Sequence, residues 1–203
     1  MTSNQIKQAI DNWARNRQDS GKVLTYFEQG DCFAFPYPKY AETSEFIHAY
    51  AGVLEDVLYF FMVPSAYDKE EYVDVIDQYT TVCLVVKNIS GGSHEIPSKE
   101  AEARMKAWKE HYTEWVPAQV DNTTYGLFQA FNISNIDFEH KDGTVVLSLG
   151  LKQSASAQVN FDADLIVING AGKQLVYDDF TRSVPPFGTS AMSQNEFSLL
   201  PQV

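Results

Sequence analysis

Three residues in the first quarter of the chain have side chains that could carry out catalysis: Cys32, Glu45 and His48. Glu45 and His48 have the Glu-x-x-His spacing, which on a helix places a carboxylate and an imidazole on neighbouring turns. Di-iron bundles need this motif twice and the chain has it once, so a single metal ion with a distant third ligand is the form this chemistry would take. Cys32 begins a predicted strand, and the negative Asp31 beside it disfavours the thiolate that a nucleophile needs. Together the three residues define one hypothesis, a small hydrolase or transferase.

Other motifs associated with ligand or cofactor binding are incomplete. Gly170-Ala171-Gly172-Lys173 matches part of a phosphate loop, but the Walker pattern needs a further glycine where Val167 stands and a serine or threonine where Gln174 stands. This segment is therefore predicted to be a turn. Cys32 and Cys83 form no Cys-x-x-Cys pair. We predict no cofactor and no metal site.

Aromatic residues supply the leading hypothesis. They make up 13% of the chain, and most lie in apolar runs typical of a core. Five of them fall in the connections between predicted strands of the first half, one of which contains the short helix at 43–52, and connections usually lie at the surface and carry function. We therefore expect an aromatic-lined cleft there, in a soluble, non-catalytic binding or protein-interaction protein. The predicted binding residues are Tyr37, Tyr40, Phe46, Tyr50 and Tyr67.

The charge of the chain limits its partners. The formal net charge is −12 at pH 7, which repels nucleic-acid phosphates and anionic lipid surfaces. We predict a protein or small-molecule partner that is basic or aromatic, and neither nucleic acid nor membrane. No apolar run approaches the roughly 20 residues of a membrane-spanning helix. The polar start Met1-Thr2-Ser3-Asn4-Gln5 lacks the features of a signal peptide, so a cytoplasmic location is expected.

The longest predicted element is an amphipathic helix that begins after Ser98. Pro117 is expected to end it, because proline has no backbone donor. The spacing of three and four residues places five side chains on one stripe: Ala101, Met105, Trp108, Tyr112 and Trp115. The N-terminal residues Ser3, Ile6, Ile10 and Trp13 repeat the spacing of Ser98, Ala101, Met105 and Trp108. This repeat suggests an internal duplication.

The remaining elements are predicted from periodicity and turn signals. Further helices are expected at 3–18, 43–52 and 68–76. Strands are expected at 23–27, 32–35, 57–63, 80–86, 125–131, 144–151, 159–168 and 174–177.

These elements predict an α+β fold with an antiparallel sheet and a duplicated helix-plus-three-strand unit. The first half is expected at residues 1–90 and the second at 95–180, joined by the linker Asn88-Ile89-Ser90-Gly91-Gly92-Ser93. Residues 181–203 are predicted to form an irregular tail, which Phe197, Leu199 and Leu200 could hold against the rest. The two halves are expected to pack as one globular unit.

Overall fold

Three α-helices and nine β-strands form the described part of the chain. The structure is a computed structural model that describes residues 1–87, 99–138, 143–154, 159–169, 176–178, 181–185 and 197–201. The helices are α1 (Ser3–Asn16), α2 (Ser20–Phe27) and α3 (Lys99–Asn122). The strands are β1 (Cys32–Pro36), β2 (Phe46–Leu54), β3 (Val57–Pro64), β4 (Thr81–Leu84), β5 (Ala130–Ser134), β6 (Thr144–Gln153), β7 (Phe161–Asn169), β8 (Val176–Asp178) and β9 (Thr181–Val184). Short 3-10 helices occupy Lys39–Thr43, Glu70–Gln78 and Asn135–Asp137. None of the described helices is both long and apolar enough to cross a membrane.

The strands form two antiparallel sheets, which confirms the predicted α+β class with antiparallel pairing. Sheet I has the order β4-β3-β2-β5-β9, and sheet II has the order β1-β6-β7-β8. An isolated bridge between Cys32 and Val86 joins β1 of sheet II to the chain just after β4 of sheet I. Both sheets contain strands from residues 1–90 and from 95–180, so the two predicted halves share a single core.

The central core lies between the two sheets. Alternate residues of each strand point into it, as Ile47, Ala49 and Ala51 do from β2. The rings of Phe33 on sheet II and Phe60 on sheet I stack there with centroids 4.5 Å apart. The sequence predicted that most of the aromatic residues would lie in a core of this kind.

Each outer face of the sandwich is covered by a helix. At Gly52 of β2, an added Cβ would lie 3.1 Å from the backbone carbon of Ala9 in α1 and 2.4 Å from Cε2 of Phe61. At Gly150 of β6, it would lie 3.0 Å from Cδ1 of Ile166 on the neighbouring strand β7 and 3.3 Å from Cβ of Arg104 in α3. Glycine at these two positions therefore allows the helices to approach the sheets closely.

The two sheets share one connection pattern. β1 from the first half pairs with β6 of the second, and β5 from the second half pairs with β2 of the first. Each half thus gives its first strand to the sheet that is built mainly by the other half. A duplication would give this pattern if the halves exchanged their first strands, and the duplication itself stays a prediction.

Two segments adopt a secondary structure opposite to the predicted one. Residues 23–27 belong to α2, where Val23, Tyr26 and Phe27 are buried at helical spacing and Asp19 accepts the N-cap hydrogen bond from the Lys22 amide. Residues 46–54 form β2 rather than a helix. This strand is central in sheet I and buried on both faces, so its sequence lacks the alternation that identifies a strand.

The predicted end of the long helix at Pro117 is wrong, since α3 continues to Asn122. Proline removes one backbone hydrogen bond, to the carbonyl four residues earlier, and that residue, Thr113, is exposed to water. Packing supplies the compensation, because Trp115, Val116 and Gln119 on either side of the proline are buried. The Gln119 side chain also donates to the Gly126 carbonyl at 3.1 Å.

Part of the predicted irregular tail is ordered. Thr181–Val184 forms β9, which pairs with β5 at the edge of sheet I and buries Thr181 and Ser183. Phe197 and Leu199 are also buried, in the core cluster beneath α1, as their apolar character suggested. The linker at 88–93 and the turn at Gly170 lie outside the described residues.

The close contact at Gly52 generates a stability prediction. Gly52→Val forces a branched side chain against Phe61 and the α1 backbone, and overpacking of this kind costs about 1–3 kcal/mol of unfolding free energy. The control is Gly143→Val, because no atom lies within 4 Å of the Cβ position there, and a change below about 1 kcal/mol is expected. Urea titration measures both. Equal losses for the two variants would contradict the role assigned to Gly52.

Candidate functional site

Two of the predicted binding residues are buried. Tyr37 packs its ring against Phe35 and Phe138, and its hydroxyl donates to Oδ1 of Asn135 at 2.8 Å. Tyr50 lies on β2 beneath α1 and is fully inaccessible to solvent. Neither ring presents area to a surface groove, so the prediction is wrong for these two residues.

Tyr50 belongs to a buried hydrogen-bond network centred on Asp68. Oδ2 of Asp68 accepts from the Tyr50 hydroxyl at 2.5 Å and lies 2.5 Å from Nδ1 of His48. Oδ1 of Asp68 accepts from the Ser198 amide at 3.0 Å and from the Ser198 hydroxyl, while Phe197 stacks on His48 at 4.2 Å. Ser198 therefore contacts the carboxylate rather than the imidazole, so a Ser-His-Asp relay is not formed. The network ties residues 197–201 to sheet I.

The alternative catalytic set is not brought together. His48 points to the outer face of sheet I, whereas Cys32 is on sheet II and its thiol donates to the Val86 carbonyl at 3.3 Å. Glu45 is exposed, and because the chain from Phe46 onward is a strand, side chains three residues apart point to opposite faces. The helical Glu-x-x-His arrangement is therefore wrong. Within the described ranges, no group of three His, Cys, Asp or Glu side chains is placed to hold a metal ion.

Tyr40 and Tyr67 lie together in a cluster of four tyrosines. The rings of Tyr67 and Tyr79 stack with centroids 4.1 Å apart and planes 6° from parallel. Tyr40 meets both edge-on at 5.8 and 6.0 Å, and Tyr72 packs against Tyr79 at 5.3 Å. All four rings are half-buried, so each keeps some area in contact with water. Phe46, the fifth predicted residue, is half-buried at the start of β2.

An acidic segment carries part of this cluster. Tyr72 lies within the 3-10 helix Glu70–Gln78, and Tyr79 follows it directly. Lys7 of α1 pairs with Asp74 at 3.3 Å, and the Ser3 hydroxyl bonds to Asp77, so α1 holds the segment in place. Its exposed carboxylates are Glu70, Glu71, Asp74 and Asp77. We call these carboxylates and the four tyrosines, Tyr40, Tyr67, Tyr72 and Tyr79, the tyrosine surface.

Sequence reasoning missed Tyr72 and Tyr79. Residues 68–76 have acidic residues before an apolar pair, a pattern that predicts a surface helix and gives no weight to the tyrosines. A usable signal was present, because Tyr67, Tyr72 and Tyr79 all lie in one 16-residue connection between β3 and β4. Three tyrosines in one such connection favour a shared cluster.

The comparisons with known proteins identify no relative of this chain. No protein-family model matches the chain, and searches of the curated proteins and of the solved structures found no similar protein. The candidate function therefore depends on the geometry described above.

Burial of the thiol of Cys83 in the inner face of β4 generates a second prediction. Burial raises its pKa to about 12, so the thiolate fraction at pH 8 is about 10⁻⁴. We expect iodoacetamide to leave Cys83 unmodified in the folded protein near pH 8 and to modify it in urea, as read by mass spectrometry of the peptide. Rapid modification in the folded state would contradict the assigned burial.

The Asp68 network generates a third prediction. Burial, followed by the charge of Asp68, raises the pKa of Tyr50 well above its usual value. Its contribution to stability is therefore complete below about pH 10, the unfolded value, and is lost as the pH rises above it. Tyr50→Phe should cost about 1.5–3 kcal/mol at neutral pH and flatten the alkaline loss of stability in urea titrations. Tyr125→Phe, in the connection before β5, is the control and should keep the alkaline loss of stability. If the unfolding free energy of Tyr50→Phe fell with alkaline pH as steeply as that of the unmodified protein, the assignment would be refuted.

Proposed function

We propose that this protein is a non-catalytic binding protein that recognises a basic segment of another protein through the tyrosine surface. The observation that carries the proposal is the coincidence of four partly exposed, mutually packed rings with four exposed carboxylates. Aromatic rings that are already held by neighbours lose little conformational entropy on binding, which makes them effective contact residues.

Charge complementarity supports a basic partner. Residues 69–78 contain four carboxylates and one lysine, and the whole chain has a formal charge of −12. Arginine and lysine side chains are attracted to the faces of tyrosine rings by about 0.5–2 kcal/mol, and the flanking carboxylates steer the approach of a cation. Exposed ion pairs alone contribute little, so most of the affinity should come from the rings.

Apolar area beside the rings supports a protein rather than a free ion as the partner. Val75 is 39% exposed within the acidic segment, and Val82 and Leu84 are exposed on the neighbouring edge strand β4. Alternation places Val82 and Leu84 on the same face of that strand. A mixture of aromatic, apolar and rim-charged side chains is typical of a transient protein interface.

The geometry does not favour the enzyme hypothesis. Cys32, Glu45 and His48 lie on different faces and sheets, so they do not support a shared reaction centre. We include in this proposal the cytoplasmic location that the sequence predicts. The two buried free thiols are compatible with a reducing compartment.

The fourth prediction tests the tyrosine surface with a defined probe. A short peptide of alternating arginine and glycine should shift the backbone NMR resonances of residues 67–79, and a matched glutamate–glycine peptide should not. Tyr67→Ala should weaken the arginine peptide by about 1–2 kcal/mol, because it removes one of the two stacked rings.

Two further variants make this result interpretable. Tyr125→Ala removes a half-buried tyrosine elsewhere and should leave the affinity unchanged. Glu70→Gln with Glu71→Gln changes exposed side chains, so the fold is kept while the salt dependence of binding should decrease. Equal binding of the two peptides, or shifts that avoid residues 67–79, would refute the proposal.

A further inference from the structure

A cavity of about 350 Å³ lies beside the last turns of α1, between this helix, the residue before β5 and the segment at 197–201. Its volume is within the range of about 300–1,000 Å³ that is typical of small-molecule sites. The lining residues are Asp11, Ala14, Arg15, Arg17, Gln129 and Pro201. The cavity thus combines two guanidinium groups and one carboxylate with two small apolar side chains.

Hydrogen bonds and packing hold each of the three walls in place. The close contact with β2 fixes α1 on sheet I. The backbone amide of Gln129 donates to the Val184 carbonyl at 2.6 Å, which fixes the second wall. Hydrogen bonds from Ser198 to Asp68 hold the segment that contains Pro201. A cavity with fixed walls loses little conformational entropy when a ligand binds.

Arg17 is a half-buried cation without an anionic partner. Its Nη1 donates to the backbone carbonyls of Tyr125 and Leu127. In the described part of the chain no carboxylate forms an ion pair with Arg17, and its Nη2 has no hydrogen-bond partner although it is not closed off from solvent. Nη2 therefore remains able to donate to a ligand.

The other partly buried arginine of a helix shows what is missing at Arg17. Arg104 of α3 pairs with Glu100 and, at 2.7 Å, with the buried Asp164. Buried charges in proteins are normally paired in this way. Burial without such a partner lowers the pKa of Arg17, which means that its charged form is disfavoured there. An anion bound at Nη2 would stabilise that form.

Two further donors line the same cavity. Arg15 is exposed and donates through Nη2 to Oδ1 of Asn12 at 2.6 Å, which leaves its other N–H groups for a ligand. The half-buried side-chain amide of Gln129 makes no hydrogen bond to another described residue. Guanidinium groups bind carboxylates through paired, charge-assisted hydrogen bonds, which are stronger than neutral ones.

The charges of the lining select a singly charged anion. Arg15 and Arg17 carry two positive charges and Asp11 carries one negative charge, so the lining has a formal charge of +1 in a chain of −12. A multiply charged ligand such as a nucleotide would be left with uncompensated charge and repelled by the rest of the protein. Ala14 and Pro201 offer apolar surface to an uncharged body.

We propose that this cavity binds a small organic acid with one carboxylate, which accepts hydrogen bonds from Arg15 and Arg17 while its apolar body lies against Ala14 and Pro201. The bound carboxylate supplies the negative charge that Arg17 lacks. This site is separate from the tyrosine surface and does not depend on the function proposed for it.

Benzoate and benzamide form a matched pair of probes, because they have nearly the same shape and differ in charge. At constant ionic strength and pH 7, benzoate should shift the backbone NMR resonances of residues 14–17 and 129. It should bind about tenfold more tightly than benzamide, because it alone offers a charged acceptor. Inorganic phosphate has no apolar body and carries up to two charges, so it should bind more weakly than benzoate.

Two exposed residues of the cavity allow a test that keeps the fold. Arg15→Gln should weaken benzoate by about threefold, whereas Asp11→Asn should tighten it by about threefold, since one removes an attractive charge and the other a repulsive one. Benzamide affinity should change in neither variant. Lys106→Gln, an exposed position of α3 away from the cavity, is the control and should leave both probes unchanged.

Arg17→Gln tests the half-buried cation itself. It should reduce the preference for benzoate over benzamide to below about threefold, and unchanged benzamide affinity in the same variant shows that the cavity is intact. The proposal is overturned if benzoate and benzamide bind equally to the unmodified protein, if phosphate binds more tightly than benzoate, or if Arg15→Gln and Asp11→Asn both leave benzoate affinity unchanged.

Discussion

The close contact of each helix with one glycine of the sheet beneath it is the constraint on which the rest of the structure depends. Gly52 and Gly150 fix how near α1 and α3 approach and therefore where the residues one turn further along each helix fall. Trp13 and Trp108 stand four residues after the contacting Ala9 and Arg104, and both indoles reach the core between the sheets. A larger residue at either glycine would lift the helix and its tryptophan together.

The exchange of first strands makes the two sheets interdependent. Since β1 pairs with β6 and β5 pairs with β2, neither half can complete its own sheet. A second set of links is polar: Asp164, fully buried on β7, bonds to Arg104 of α3 at 2.7 Å and to Thr181 of β9 at 3.0 Å. Buried charges of this kind contribute little net stability, but a slipped register would leave the carboxylate without its partners.

The stripe of α3 around Trp108 was predicted because its apolar residues recur at helical spacing, and β3 was predicted because it is a continuous apolar run of strand length. β2 was missed because it is covered on both faces, by the core and by α1, and so lacks alternation, while His48 and Gly52 interrupt its apolar run. Tyr50 was consequently placed in a connection. The burial of Tyr37 was also hidden, because its partner Asn135 is 98 residues away and no local pattern records such a contact.

The tyrosine surface lies mainly in a connection whose counterpart in the second half is much shorter. The first half has 16 residues between β3 and β4, and these carry Tyr67, Tyr72 and Tyr79, whereas only six residues separate β7 from β8. Connections carry function more often than paired strands do, because their side chains are not needed to hold a sheet together.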